Sequence, residues 1–384
     1  MRRKNPVVSA IFFGFLSFVV TTPSDVLGQD GTAASASGGA SKAARLINLP
    51  QTGQTKSYGT DDDGKLRRGI AWPNPRFTNN KDETITDNLT GLMWTYEART
   101  AGPAQCSPYL NKEWKEALQH IKCLNEHKYA GYDDWRLPNV NELESLVNVD
   151  QTNSAIWLTA QGFRNVQQLF YWTSTTDVRR PELAWVVVMY SGNVFSRDKK
   201  GRKVFPLWPV RSGGSTSSAK YALPQTGQTL CYSAKGEIKE CGRKSVQDAA
   251  LRRGVAWPNP RFTVKGECVT DTLTGLMWVK RPKDTSRTWE DALAFSNGLS
   301  LCGFTDWRLP NRNELRSLVN YGQKEPAEWL NDQGFDGVKD DDYWTSTAYE
   351  DRPGNAWVVN LEYGHVVAGR KDRRYNVFPV RDGN

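Results

Sequence analysis

Apolar and polar positions alternate through Trp135-Arg136-Leu137, which places Trp135 and Leu137 on one side of a strand and Arg136 on the other. The period then changes. Pro138 sets a turn and keeps the residue before it out of a helix. Asn139 stands where an N-cap is needed, and Glu142 follows three residues on, where it can complete a capping box. Leu143, Leu146 and Val147 then fall on one helical face. The stretch Asp134–Leu143 returns almost unchanged as Asp306–Leu315, with Leu318 and Val319 behind it. The chain therefore joins a strand to a helix in the same way twice.

The remaining pattern doubles with it. Leu49–Thr55 matches Leu223–Thr229, Leu89–Trp94 matches Leu273–Trp278, and Tyr171–Thr175 matches Tyr343–Thr347; each copy closes on Pro-Val-Arg, at Arg211 and Arg381. An earlier helix is predicted from Trp114, Ala117, Leu118 and Ile121, and again from Trp289, Ala292 and Leu293. Strands are predicted over 171–175, 184–190 and 204–211, with counterparts over 343–347, 356–363 and 377–381. Short strands around two helices make each repeat α+β. A repeat this long is a duplicated domain rather than a solenoid unit. The expected domains are 45–211 and 219–384, joined by the flexible linker 212–218. One departure stands out. Cys231 and Cys241 flank a hairpin in the second copy, where the first has Lys56-Ser57-Tyr58 and an Asp61-Asp62-Asp63-Gly64 turn, so this element is expected to be looser in the first copy.

Composition adds export. Residues 1–28 read as a signal peptide: Arg2, Arg3 and Lys4 precede an apolar run from Val7 to Val20, and a cut after Gly28 is tolerable. The alternative is an uncleaved N-terminal anchor. Residues 29–44 read as a flexible leader, and no other stretch is apolar enough to span a membrane, so no transmembrane segment is expected in the mature chain. The net charge of +8 falls to +6 once the signal peptide is removed, with 47 basic against 41 acidic residues. That balance permits anionic partners. Six cysteines in an exported chain suggest three disulfides. Fifteen pairings are possible. Keeping pairs within one repeat joins Cys106 to Cys123, the hairpin joins Cys231 to Cys241, and Cys268 is left with Cys302. This leaves no thiol for catalysis or metal.

Of the chain's fifteen tryptophans, seven in one repeat stand in register with seven in the other, from Trp72 and Trp257 to Trp185 and Trp357. Core packing is expected for most, with a sugar-binding platform as the alternative. The motifs Arg-Phe-Thr (76–78, 261–263), Val/Ile-Thr-Asp-x-Leu-Thr-Gly-Leu-Met-Trp (85–94, 269–278), Asp-Trp-Arg-Leu-Pro-Asn-x-Asn-Glu-Leu, Tyr-Trp-Thr-Ser-Thr, Ala-Trp (184–185, 356–357) and a closing Val-Arg occur in the same order in both copies. In this the chain resembles the Lcl C-terminal domain family, named after a collagen-like bacterial surface protein. The resemblance implies two tandem C-type-lectin-like domains, each a small mixed or antiparallel sheet with two helices and long loops. It also implies a relation to an adhesin that binds sulfated polysaccharides, and to a scaffold that hosts sulfatase-modifying-factor-like enzymes.

Basic runs are the candidate binding residues. Arg197, Lys199, Lys200, Arg202 and Lys203 occupy the place in the first repeat that Arg370, Lys371, Arg373 and Arg374 occupy in the second. Arginine forks and lysine point charges at a hairpin tip suit sulfate or carboxylate groups. The bland alternative is a solvated tip that protects a sheet edge. Asp61–Asp63 and Asp340–Asp342 are read as solvated turns rather than calcium ligands, and Arg136 and Arg308 as structural, each making an ion pair or bonding loop carbonyls within its own domain, with a ligand carboxylate as the alternative. No cofactor or metal is expected. The function expected is non-enzymatic recognition of an anionic glycan at the envelope or outside the cell, without nucleic acid as a partner. The alternatives are a structural or protein-interaction module of the envelope and, last, an enzyme on the sulfatase-modifying-factor scaffold.

Overall fold

The computed structural model describes residues 45–106, 111–201, 204–213, 219–282 and 286–383. The expected signal peptide, the leader 29–44 and linker residues 214–218 lie outside them. Both capping boxes form as the sequence predicts. Asn139 Oδ1 accepts the Glu142 N–H at 2.9 Å, and Glu142 accepts the Asn139 N–H at 2.9 Å; Asn311 and Glu314 repeat this at 2.9 and 2.8 Å. The helices they start, Val140–Glu144 and Arg312–Arg316, are single turns, and Leu143, Leu146 and Val147 carry on into the core. Arg136 forks onto Glu142, and Arg308 onto Glu314 at 2.7 and 2.7 Å. All four side chains are buried, so each arginine is the structural partner expected.

Each repeat contributes a four-stranded antiparallel sheet: Phe77–Asn79, Thr84–Asp87, Leu92–Thr95 and Val210–Ser212 in the first, and Phe262–Lys265, Cys268–Asp271, Leu276–Val279 and Val380–Asp382 in the second. The closing strands are shorter than predicted, because residues 204–209 carry two prolines, which cannot donate to a ladder. The central sheet is shared. Its order runs Asp342–Ala348, Asn355–Asn360, Val366–Arg370, then Val194–Asp198, Leu183–Val188 and Phe170–Thr176, with the repeats meeting at the single pair Val366–Val194. One apolar core runs through both repeats, and a smaller one lies under each long helix, Trp114–Glu126 and Trp289–Asn297. Eleven tryptophans are buried, as expected of core residues, while Trp72, Trp157, Trp257 and Trp329 are partly buried.

The two repeats exchange their leading segments. The first repeat's segment docks on the second: Leu46 and Ile47 donate to Leu273 O at 3.1 and 3.0 Å, Asn313 holds Pro50 O at 3.1 Å, and Gln54 makes two 3.0 Å bonds to the Ala348 backbone. The second returns each contact. Tyr221 donates to Leu89 O at 2.9 Å, Asn141 holds Pro224 O at 2.9 Å, and Gln228 pairs with the Thr176 backbone. The Leu-Pro-Gln-Thr-Gly strings are these crossing points. At Gly227 the backbone has φ +91° and a Cβ would come within 2.1 Å of Asn320 Oδ1, so only glycine fits. The described residues fall within one compact unit.

The Asp61–Asp63 turn corrects an expectation. Asp62 and Asp63 are buried, not solvated. Asp62 caps a helical turn and accepts the Tyr58 and Gly59 N–H groups at 2.6 and 3.2 Å, so carboxylate hydrogen bonds tie down the segment expected to be loose. Asp63 accepts Thr52 Oγ1 from its own segment at 2.5 Å and Thr347 Oγ1 from the other repeat at 2.7 Å. Asp248 does the same with Thr226 and Thr175, both at 2.7 Å. These two carboxyls clasp the exchange.

Candidate functional site

Exchange places a hairpin of the second repeat over the long helix of the first. Strands Cys231–Tyr232 and Ile238–Lys239 pair, and the Cys231–Cys241 disulfide closes the hairpin. Gln247 fixes its base through Tyr232, donating to the carbonyl at 2.9 Å and accepting the N–H at 3.0 Å. On the opposite side the helix Trp114–Glu126 is tied to the turn at Ala104–Cys106 by Cys106–Cys123. Between these two walls lies a cleft of 630 Å³. Lys115 and Lys122 line it from the helix, Lys235, Lys239 and Lys244 from the hairpin region, and Lys200 from the end of a central strand. Among the described residues two carboxylates, Glu237 and Glu240, line it with them. Among the described residues none of the six lysines has an ion-pair partner within 4.0 Å. Six ammonium groups against two carboxylates leave this concave surface with a positive excess that attracts a polyanion.

The basic runs expected to form the site divide. Lys200 joins the cleft. Lys199 does not: it is fully buried, with Nζ donating to Thr176 Oγ1 at 2.9 Å and Pro181 O at 2.8 Å and lying 4.1 Å from the Trp114 ring centroid. Burial, reinforced by the charge on Lys239, pulls its pKa down to about 7. Lys371 is its counterpart, buried 3.7 Å from the Trp289 centroid, with Tyr58 of the exchanged segment nearby; burial lowers its pKa too. Both are therefore interior amines packed on aromatic faces, not gripping groups. Arg197 is half-buried over Phe195. Arg370 is exposed and paired with Asp372, Arg374 donates to Ser286 O at 2.6 Å, and Arg373 is exposed. Arg202 and Lys203 lie outside the described residues.

Sequence reasoning missed the cleft itself. Lys115 and Lys122 lie two helical turns apart, a spacing that marks one stripe. Nothing local shows that a hairpin from the other repeat covers that stripe. All three disulfides pair as the sequence suggests, and no cysteine is free. Cys106, Cys123 and His127 are the grouping close enough for a metal ion among the described residues, but the two sulfurs are bonded to each other. No helix among the described residues is long and apolar enough to cross a membrane.

A search among curated proteins returned no match. The sequence profile of the Lcl C-terminal domain matches residues 83–211 and again residues 267–381. Both matches begin beyond the leading segments that the repeats exchange, at the strands Thr84–Asp87 and Cys268–Asp271, and both end in the closing strands. The chain belongs to the Lcl C-terminal domain family and carries two tandem copies of that domain.

Proposed function

We propose that this chain is an exported, non-enzymatic recognition protein that binds an anionic polysaccharide at the cell envelope or outside the cell. The observation that carries this reading is the six-lysine cleft between the long helix and the stapled hairpin. Lysine ammonium groups act as point charges and accept sulfate, phosphate or carboxylate without a fixed geometry. A polymer with repeated charges meets several of them at once, and such binding weakens as salt shortens the screening length. The three disulfides suit an oxidising compartment. We take each repeat as C-type-lectin-like, with small sheets and two helices supporting long loops.

Binding of the full chain to sulfated, carboxylated and neutral polysaccharides at low and high salt tests the reading. Salt-sensitive retention of the charged polymers alone is expected. Replacing Lys122, Lys235 and Lys244 with Ala, all exposed side chains, is expected to weaken that retention by about tenfold or more, near 1.4 kcal/mol. Equal binding of neutral and charged polymers, or none at all, would overturn it.

A further inference from the structure

A second cleft of the first repeat has different chemistry. It encloses 450 Å³ at the end of the shared sheet, and Phe170, Phe205, Leu183, Arg180 and Arg197 line it together with Ser196 and Asp198. The aromatic rings form one surface: Phe170 lies 5.1 Å from Phe205 and 5.6 Å from Phe195, centroid to centroid. The Arg197 guanidinium stacks 4.1 Å from Phe195 and 5.1 Å from Phe170. Its Nη1 donates to the neighbouring Ser196 carbonyl at 3.3 Å. Among the described residues neither Arg197 nor Arg180 has a carboxylate within 4.0 Å. Asp198 is exposed, and its Oδ1 is engaged by the Lys200 N–H at 3.0 Å.

This arginine departs from how the molecule treats the fully buried ones. Arg76, Arg136, Arg261 and Arg308 each sit against a carboxylate of their own repeat. A half-buried guanidinium packed over phenyl rings, with no carboxylate beside it and its outer side open to solvent, is left able to pair with an anion. Burial alone pulls the Arg197 pKa below its ordinary value. The second repeat has none of this. The positions of Phe170, Phe195 and Arg197 are taken there by Asp342, Val367 and Gly369, and the space beside Gly369 is filled by Tyr375, 2.6 Å from where a Cβ would stand. Duplication kept the sheet, and among the described residues this set of side chains stands in the first repeat and not at the matching positions of the second.

We propose that the Arg197–Arg180–Phe170–Phe205 cleft is a subsite for one carboxylate-bearing ring. The planar guanidinium fork matches a carboxylate through two parallel hydrogen bonds, which a lysine cannot do. The phenyl rings carry the ring face beside it. The inference rests on the reading of the chain as an anion-binding protein, and it names a unit and a site that the lysine cleft does not require. The carboxylated ring can belong to a uronic acid residue of a polymer or to a small aromatic acid.

The test titrates the full chain with a uronate tetrasaccharide, its neutral methyl ester and benzoate, by calorimetry. Binding of the acid but not the ester is expected. Arg197→Ala is expected to lower affinity by about tenfold or more, since a charge-assisted bond is lost. Arg197→Lys, which keeps the charge and loses the fork, is expected to fall between the two. In the variant lacking Lys122, Lys235 and Lys244, Arg197→Ala is expected to lower tetrasaccharide affinity by the same factor as in wild type, because the two clefts are separate sites and their effects add. Benzoate binding in place of the sugar acid, still dependent on Arg197, would support the site and assign it to small aromatic acids. Equal binding of acid and ester, or no effect of Arg197→Ala while the lysine variant weakens sulfated polymer binding, would overturn the subsite and leave the lysine cleft standing. Failure of every anion to bind would overturn both.

Discussion

The two repeats share a scaffold and differ in charge. Their buried interiors are nearly interchangeable: Trp94 and Trp278, Trp172 and Trp344, and the ion pairs at Arg136 and Arg308 occupy matching places. Their contacts with each other match at the exchanged segments and differ at the seam between the two short helices. Val140 and Glu144 of the first repeat correspond to Arg312 and Arg316 of the second. Both arginines reach across to Glu144, Arg312 at 2.8 Å, and Arg312 also lies 4.4 Å from the Trp357 ring. Two first repeats in this arrangement would bring two carboxylates together, and two second repeats would bring four guanidinium groups together. Unlike repeats fit, and like repeats repel. The surface differs in the same spirit. The stapled hairpin of the second repeat covers a lysine stripe of the first, while the segment docked on the second repeat's long helix carries Tyr58 and no hairpin. Duplication preserved what packs, and divergence built one charged cleft instead of two.

The largest break in this comparison is expected at the seam. Glu144→Ala leaves two buried guanidinium groups without their carboxylate and is expected to cost about 3–5 kcal/mol in urea unfolding. Reversing the pair as Glu144→Arg with Arg316→Glu should recover part of that loss, and no recovery would contradict a direct pairing role. The disulfides come next. Removing Cys268–Cys302, which spans 34 residues, is expected to cost about 4 kcal/mol on the chain-entropy scale, and removing Cys231–Cys241, which spans 10, about 3 kcal/mol. Only the second is expected to weaken polyanion binding as well, because it holds a wall of the cleft.

A smaller effect separates the two clasps. Burial raises the Asp63 pKa from 3.8 to about 7 and the Asp248 pKa to about 6, against the lowering effect of their threonine hydroxyls. A carboxyl whose pKa rises on folding contributes stability that is complete below 3.8 and is lost as pH climbs through the folded value. Thermal stability should therefore fall between pH 4 and pH 7 through these groups, an interval of about three pKa units. Asp63→Asn should flatten that fall more than Asp248→Asn. Equal slopes in all three proteins would show that the clasps do not titrate there.

Much of the scaffold was legible because its determinants are local. The Asn139–Glu142 box and the Arg136–Glu142 fork lie within seven residues of sequence, and the three disulfides follow from order along the chain. The site was only partly legible. Lys199 and Lys371 read as surface cations because they stand in basic runs, yet each is folded back under a tryptophan far away in sequence. Asp63 reads as part of a solvated turn because one of the threonines that donate to it comes from the other repeat, whereas Asp62 is held by N–H groups within four residues of it, a local cap that the sequence reading overlooked. The exchange of leading segments decides which helix meets which hairpin, and no periodicity within either repeat carries that information.

The most direct test of the central claim compares the two repeats by charge removal in the full chain. Affinity for one sulfated polysaccharide at low salt would be measured for wild type, for Lys122, Lys235 and Lys244 changed to Ala, and for Arg370, Arg373 and Arg374 changed to Ala. The cleft variant is expected to lose about tenfold or more, and the second-repeat variant to stay near wild type, because Arg370 and Arg374 already have partners within the protein. An equal loss in both variants, or a loss confined to the second repeat, would contradict the account.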